Sequence, residues 1–296
     1  MKIISFSEGQ SGEEWHKWRK NGIGASDISA VMRSNPYTTR LQLWEKKCEF
    51  RADDPMNSAM EHGIKTEDIA RQWLNEHEQL HLKPVCIEDP EIPYFRASLD
   101  GYDFDQKVLV EIKCPVSEAT LDKARDQQII PDYWYDQMQW QIMMCEPKNA
   151  FIALWDFRHS CCITLDMFGN TKRIKEMREK GKEFWHLVQI GKAPEAEKGD
   201  YIEVEDDNLH ALLLEYQDLG EKEKGYSERR KEVKKQIEEF GDDGNFTAYG
   251  FKIQRVAPSP RYDIDQMKLD GIDVDRYVKK SDSIGWYRII PPKSKK

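Results

Sequence analysis

The sequence predicts an α/β fold: a mixed central sheet flanked by helices, followed by a C-terminal appendage of helix and strand. Three observations carry this. Strand-like segments near 94–100, 108–114, 149–156 and 161–166 are interrupted by helical patterns at 117–126 and 132–145, and helices interspersed among strands imply a sheet with helices packed on it. A charged helical run from about 207 to 240 follows a polar stretch that ends in Glu-Ala-Glu-Lys-Gly-Asp200. The 296 residues are 39% hydrophobic and 33% charged, and they include nine Trp, which can fill a core beneath a polar surface. We therefore expect a core over 1–195, a linker over 196–206, and an appendage over 207–296 built of a helical hairpin or coiled coil plus a small β unit.

The elements follow in order. Ser11-Gly-Glu-Glu14 has the form of a capping box and opens a helix to about Lys20. Gly22-Ile-Gly-Ala25 breaks the chain, Ser26-Asp27 can cap a short second helix, and Pro36 ends it. A long helical stretch from about Met56 to Leu80 must stop before Pro84. The four strands and two helices named above come next, then a helix over roughly 168–190. In the appendage, Gly241-Asp-Asp-Gly244 is a turn, Phe246–Val256 a strand pair, and Trp286–Ile290 a short strand.

Several classes are excluded. No apolar run approaches the roughly 20 residues of a membrane span, and the N-terminal segment lacks the apolar core of a secretory signal. Six cysteines without a C-x-x-C pair argue against a disulfide scaffold, a zinc ribbon or an iron–sulfur site, and fit reduced thiols in a cytoplasm. The net charge of −9 excludes a blanket basic coat. Residues 207–296 carry 18 Lys/Arg against 17 Asp/Glu, so the acidity lies in the front portion. A local basic channel can still coexist with it.

Candidate chemistry sits on two strands. In Tyr94–Gly101, Phe95, Ala97 and Leu99 share one face, and Arg96, Ser98 and Asp100 the other. In Val108–Pro115, Val108, Val110 and Ile112 share a face, leaving Glu111 and Lys113 on the opposite one. If the strands are neighbours, Asp100, Glu111 and Lys113 meet on one surface. Two carboxylates near a common point suit a hard cation such as Mg²⁺, and an adjacent lysine can orient a water or offset developing negative charge. A plain surface ion pair between Glu111 and Lys113 is the bland alternative.

Asp100…Glu111-Ile-Lys113 resembles the signature of the PD-(D/E)xK nucleases. Four further segments are similar to the phage lambda exonuclease, or YqaJ-type, branch: Arg19 followed by Gly24-Ala-Ser26, Gly63-x-x-x-Glu67, Ser98-Leu-Asp100-Gly, and Gln137-Met-Gln139. The resemblance covers roughly residues 10–165 and implies a restriction-endonuclease-like core. It implies that Asp100, Glu111 and the Ile112 backbone carbonyl hold Mg²⁺, with Glu67 completing a second site and Mn²⁺ as a substitute. Lys113 would act on the attacking water, steadied by Gln137. Arg19, Ser26 and Ser98 would bind the 5′-phosphate of a DNA end. Where the branch often has Tyr three residues before the glutamine, this chain has Trp134, flanked by Tyr133 and Tyr135.

The implied activity is exonucleolytic degradation of one strand of linear duplex DNA from its 5′ end. A ring-shaped homotrimer, a single-strand annealing recombinase as partner and a cytoplasmic location are implied with it. Three other readings stay open. One is an endonuclease of the same superfamily, and another is an inert DNA-end-binding module. The third is a zinc protease through His77-Glu-Gln-Leu-His81, whose H-E-x-x-H pattern stands poorly before Pro84. Individually, Arg19 also reads as a solvated cation, Ser26 as a helix cap, and Gln137 with Gln141 as an i, i+4 structural pair.

Overall fold

A computed structural model describes residues 1–7, 9–201, 206–238, 246–248 and 251–253, with positions 264, 267 and 271. The expected turn at Gly241–Gly244 and strand at Trp286–Ile290 lie outside the described residues. Two compact units divide the chain, Met1–Tyr201 and Ile202–Lys296.

In the first unit, six strands form one sheet whose spatial order follows the chain: β1 (Lys2–Ile4), β2 (Lys83–Glu88), β3 (Arg96–Asp103), β4 (Val108–Lys113), β5 (Asn149–Asp156) and β6 (Cys161–Asp166). All neighbours are antiparallel except β4 and β5. Parallel neighbours need a crossover, here carrying α5 (Glu118–Gln127) and α6 (Asp132–Cys145). The mixed sheet is thus the expected one, with two more strands than the sequence reading finds.

Alternation along β4 sorts the core. Val108, Val110 and Ile112 pack with Ala70 and Leu74 of α4 (Ser58–His77) on one face. Leu109 joins Phe95, Ala97 and Leu99 on the other, together with Met138 and Trp140 of α6 and Met177 and Phe184 of α7 (Thr171–Ile190). A methyl added at Gly181 of α7 would stand 3.2 Å from the Phe95 ring and 3.3 Å from Trp140, so glycine sets how closely α7 approaches.

The front helices arrange the loop that follows them. Helix α1 (Glu13–Lys20) starts from Gly12, with no side-chain cap. The Ser11–Glu14 box is therefore not its start: Ser11 belongs to a preceding 3-10 turn, Gly9–Ser11. The chain then lies along β3, where Ile23 N–H donates to the Tyr94 carbonyl (2.7 Å) and the Ile23 carbonyl accepts from Arg96 N–H (2.9 Å). A Cβ at Gly22 would sit 2.7 Å from that same Tyr94 oxygen, so this contact requires glycine. Helix α2 is one turn, Ile28–Val31, all buried.

Helix α3 (Arg40–Lys47), absent from the sequence reading, carries a real capping box: Gln42 N–H donates to Thr39 Oγ1 at 3.1 Å and Thr39 N–H to Gln42 Oε1 at 3.3 Å. The segment expected as the start of a linker is tied to this helix. Glu197 accepts from Arg40 N–H at 3.1 Å, Thr39 Oγ1 donates to Asp200, and the Gly199 carbonyl accepts from Gln42 at 3.2 Å.

In the second unit, α8 (Asp207–Glu238) is one unbroken helix of 32 residues, so the hairpin alternative does not form within it. β7 (Phe246–Ala248) and β8 (Phe251–Ile253) pair antiparallel. None of the six cysteines forms a disulfide. Among the described residues no helix is long and apolar enough to cross a membrane.

Candidate active site

β3 and β4 are neighbours, with Gly101 opposite Val110 and Asp103 opposite Val108. Pairing of β3 with β2 shifts register between Leu99↔Val85 and Tyr102↔Lys83. Asp100 and Gly101 sit at that shift, and such irregularities re-aim side chains. Strict alternation therefore ends at Leu99. Asp100 turns to β4, where its Oδ2 accepts from Ile112 N–H at 2.9 Å.

Glu111 is 1% exposed and fully engaged. Lys113 Nζ donates to its Oε1 at 2.6 Å, Gln137 Nε2 donates to the same oxygen, and Gln141 Nε2 donates to Oε2 at 2.5 Å. Lys113 also donates to Gln137 Oε1 at 3.0 Å. Gln137 and Gln141 are one helical turn apart on α6, so both reach β4. Gln139 points elsewhere, donating to the Phe168 carbonyl at 2.9 Å and accepting from Asn170 N–H at 2.6 Å. The glutamine that joins Gln137 at the site is Gln141, a pairing visible in the i, i+4 spacing.

Electrostatics mark the same group. Burial, then the charges of Glu111 and Glu67, hold the Asp100 carboxyl well above the ordinary aspartate value. Glu67 is also raised, by burial and by Glu111 and Asp68, with Arg71 offsetting part of the effect. Burial alone would depress Lys113, yet Glu111, Asp100 and Glu67 carry it above the ordinary lysine value, so it is an ammonium at neutral pH. Arg71, which no sequence pattern singles out, donates to Glu67 and Asp68 and, through Nε, to the Asp100 carbonyl at 2.7 Å.

Arg19, Ser26 and Ser98 come together through an indole. Arg19 donates to Ser26 Oγ at 2.7 Å and stands 5.2 Å above the Trp15 ring, while Trp15 Nε1 donates to Ser98 Oγ at 3.0 Å. Lys47 of α3 buttresses the group, donating to Asp27 Oδ2 at 2.7 Å and to the Arg19 carbonyl at 3.1 Å. Asp27 Oδ2 also accepts Gly24 N–H at 2.9 Å. Asp27 and Ser26 thus serve this cluster, and no side chain caps α2.

Trp134 is buried at 9% exposure. His77 and His81 do not share a helix face: α4 ends at His77, Gln79 has φ +53°, and His81 is 79% exposed. His77 stacks on Trp73 at 4.1 Å between ring centroids. The zinc-protease geometry is absent.

Glu67, Asp100 and Glu111 are hard oxygen donors, two of them raised by burial and then by mutual crowding, and this donor set fits a divalent hard cation in charge and atom type. As placed, with Glu67 turned to Arg71 and Glu111 held by amides and Lys113, no three Asp, Glu, His or Cys side chains among the described residues converge as an ion's ligands.

Residues 14–147 match the family model described as YqaJ-like viral recombinase domain. The chain is 22% identical to uncharacterized protein YqaJ of Bacillus subtilis (strain 168), covering 94% of each. Among solved structures it resembles the alkaline exonuclease LHK-Exo of Laribacter hongkongensis, with a TM-score of 0.54, 22% identity, and coverage of 61% of this chain and 94% of that one. The complex of LHK-Exo with dAMP gives 0.53, 21%, 61% and 94%. The α/β architecture is the one found in those exonuclease structures. The matched stretch, residues 14–147, holds both the acidic cluster and the Arg19 cluster, and it is similar to the YqaJ-like viral recombinase domain.

Proposed function

We propose that this protein is a metal-dependent exodeoxyribonuclease. It degrades one strand of linear duplex DNA from the 5′ end and leaves a 3′ single-stranded tail for recombination. The observation that carries this reading is the convergence of Glu111, Lys113 and Gln137 beside Asp100 at the carboxyl end of β4. The YqaJ-like domain and the exonuclease fold support it.

Asp100, Glu111 and the Ile112 carbonyl are the groups that would hold Mg²⁺ (or Mn²⁺), with Glu67 toward a second ion. A bound divalent ion supplies Lewis acidity and a more acidic water. The protein's own groups do the rest. Lys113, charged at neutral pH, donates to the attacking water and offsets negative charge developing on the phosphate. Gln137 fixes the lysine, and Gln141 fixes the acid beside it. Water adds to phosphorus in line as the P–O3′ bond breaks, leaving a 3′-hydroxyl on the departing nucleotide and a new 5′-phosphate on the strand. Arg19, with Ser26 and Ser98, takes that 5′-phosphate and fixes polarity. A single-strand annealing recombinase, a ring homotrimer and a cytoplasmic setting belong to the same reading.

The test is digestion of 5′-phosphorylated linear duplex beside covalently closed circles, by wild type and Lys113→Ala, with Mg²⁺ and with chelator. Linear duplex should vanish only with Mg²⁺, circles should survive, and Lys113→Ala should be about 10²–10³-fold slower. Cleavage of circles would favour the endonuclease reading; unchanged cleavage by Lys113→Ala would remove the site assignment.

A further inference from the structure

The α6 face that carries Gln137 and Gln141 continues one turn toward the helix N-terminus to Tyr133. Gln141 meets Glu111, and Gln137 meets both Glu111 and Lys113. The helix therefore runs opposite to β4, and Tyr133 lies about 6 Å of helix rise beyond the lysine contact. That position is the carboxyl end of the parallel pair β4–β5, where sheets of this kind open into a ligand crevice.

Tyr133 is half-buried, and the ring of Tyr37 meets it edge-on, 5.8 Å between centroids at 84°. Burial, together with the neighbouring Tyr37 side chain, pushes the Tyr133 phenol up to about 12. Tyr37 itself is 77% exposed. Its backbone is nevertheless fixed. Asn35 Oδ1 accepts from Tyr37 N–H at 2.8 Å and Thr38 N–H at 3.0 Å, and Asn35 Nδ2 donates to Ser29 at 2.9 Å. Ser34 Oγ donates to Asp136, the residue before Gln137, at 2.5 Å. A flat aromatic ring is thus held open to solvent on a built loop, anchored to the helix that positions the candidate catalytic lysine. Core packing does not account for it.

We propose that Tyr37, braced by Tyr133, is a stacking platform for an unpaired nucleobase of the DNA strand being degraded, next to the scissile phosphate. The inference rests on the nuclease reading above. Stacking is tolerant of base identity, because every base presents a π face, and an exonuclease must accept all four. The platform would hold the base that has left the duplex while Lys113 addresses its phosphate.

The test is fluorescence anisotropy with metal-free full-length protein. Two duplexes with a frayed 5′-phosphorylated end are compared, one complete and one lacking the base of the terminal nucleotide. Wild type should bind the complete end about tenfold more tightly. Tyr37→Ala should lose that preference and Tyr37→Phe should keep it. The ring is so exposed that the substitution leaves the core intact, and a general folding defect would weaken both ends alike. A preference retained in Tyr37→Ala, or missing in wild type, overturns the platform alone. Wild type that binds neither end would overturn the nuclease reading with it.

Discussion

Asp100→Asn is expected to abolish phosphodiester hydrolysis, on the order of 10³-fold or more, while making the metal-free protein more stable. The loss follows because the carboxylate is proposed to hold the cation that supplies several kcal/mol of transition-state stabilisation. The gain follows from the repulsion at the site. Burial, Glu111 and Glu67 hold the Asp100 carboxyl well above its ordinary value. Between the ordinary aspartate value and the raised one, the unfolded chain has released a proton that the folded chain keeps, so the wild type loses stability as pH rises through that window. Asparagine has no proton to lose there, and its oxygen can still accept from Ile112 N–H. Melting curves without metal should therefore diverge, the variant's advantage growing from near nothing around pH 4 to a plateau above the raised value. Added Mg²⁺ should reverse the order by stabilising the wild type more. A variant that melts below the wild type at pH 8 without metal would show that the carboxylate is not under strain.

Arg173→Ala should cost about 3 kcal/mol of stability, and little of that is lost packing. Asp136 is 1% exposed. Its carboxylate accepts from Arg173 Nε at 2.8 Å, Arg173 Nη2 at 2.7 Å and Ser34 Oγ at 2.5 Å. Removing one partner of a buried pair leaves an uncompensated charge, which is worse than replacing both. The Arg173 side chain is a quarter exposed, which places the expectation at the low end of the usual range. Denaturant unfolding of Arg173→Ala and of Arg173→Met with Asp136→Leu checks it. The double variant should recover most of the loss if the stranded charge is its cause; a loss below about 1 kcal/mol in the single variant would mean that water reaches the carboxylate. The pair also matters for the site, because Asp136 precedes Gln137 and ties α6 to α7 and to the loop bearing Tyr37.

Period-two alternation makes β3 and β4 readable, and with them the meeting of Glu111 and Lys113, because polar residues alternate there with apolar ones; β5 is legible as a short apolar run and β6 as a short β-rich segment. β2 hides behind Pro84. That proline falls at the register shift, where a missing N–H is most easily tolerated. β1 is three residues at the sheet edge, too short to show a period. Helix α3 escapes although Thr39-x-x-Gln42 is a legible capping box, since the breaker at Pro36 dominates its surroundings. The register shift at Asp100 and the buttressing by Lys47 and Arg71 depend on contacts between distant segments. Local pattern carries no trace of these. Gln141 was open to reading from its spacing, but only the position of Glu111 distinguishes it from Gln139.

The bonds from Glu197, Gly199 and Asp200 to the start of α3 decide where the molecule may be cut. A chain stopped at 195 would strip acceptors from Thr39, Arg40 and Gln42 and leave loose the helix that delivers Lys47 to Arg19. Shortened versions intended to isolate the front unit therefore need their last residue at or beyond Tyr201, and a protease that nicks between 195 and 200 would weaken the grip on a DNA end without touching a single acidic residue of the centre.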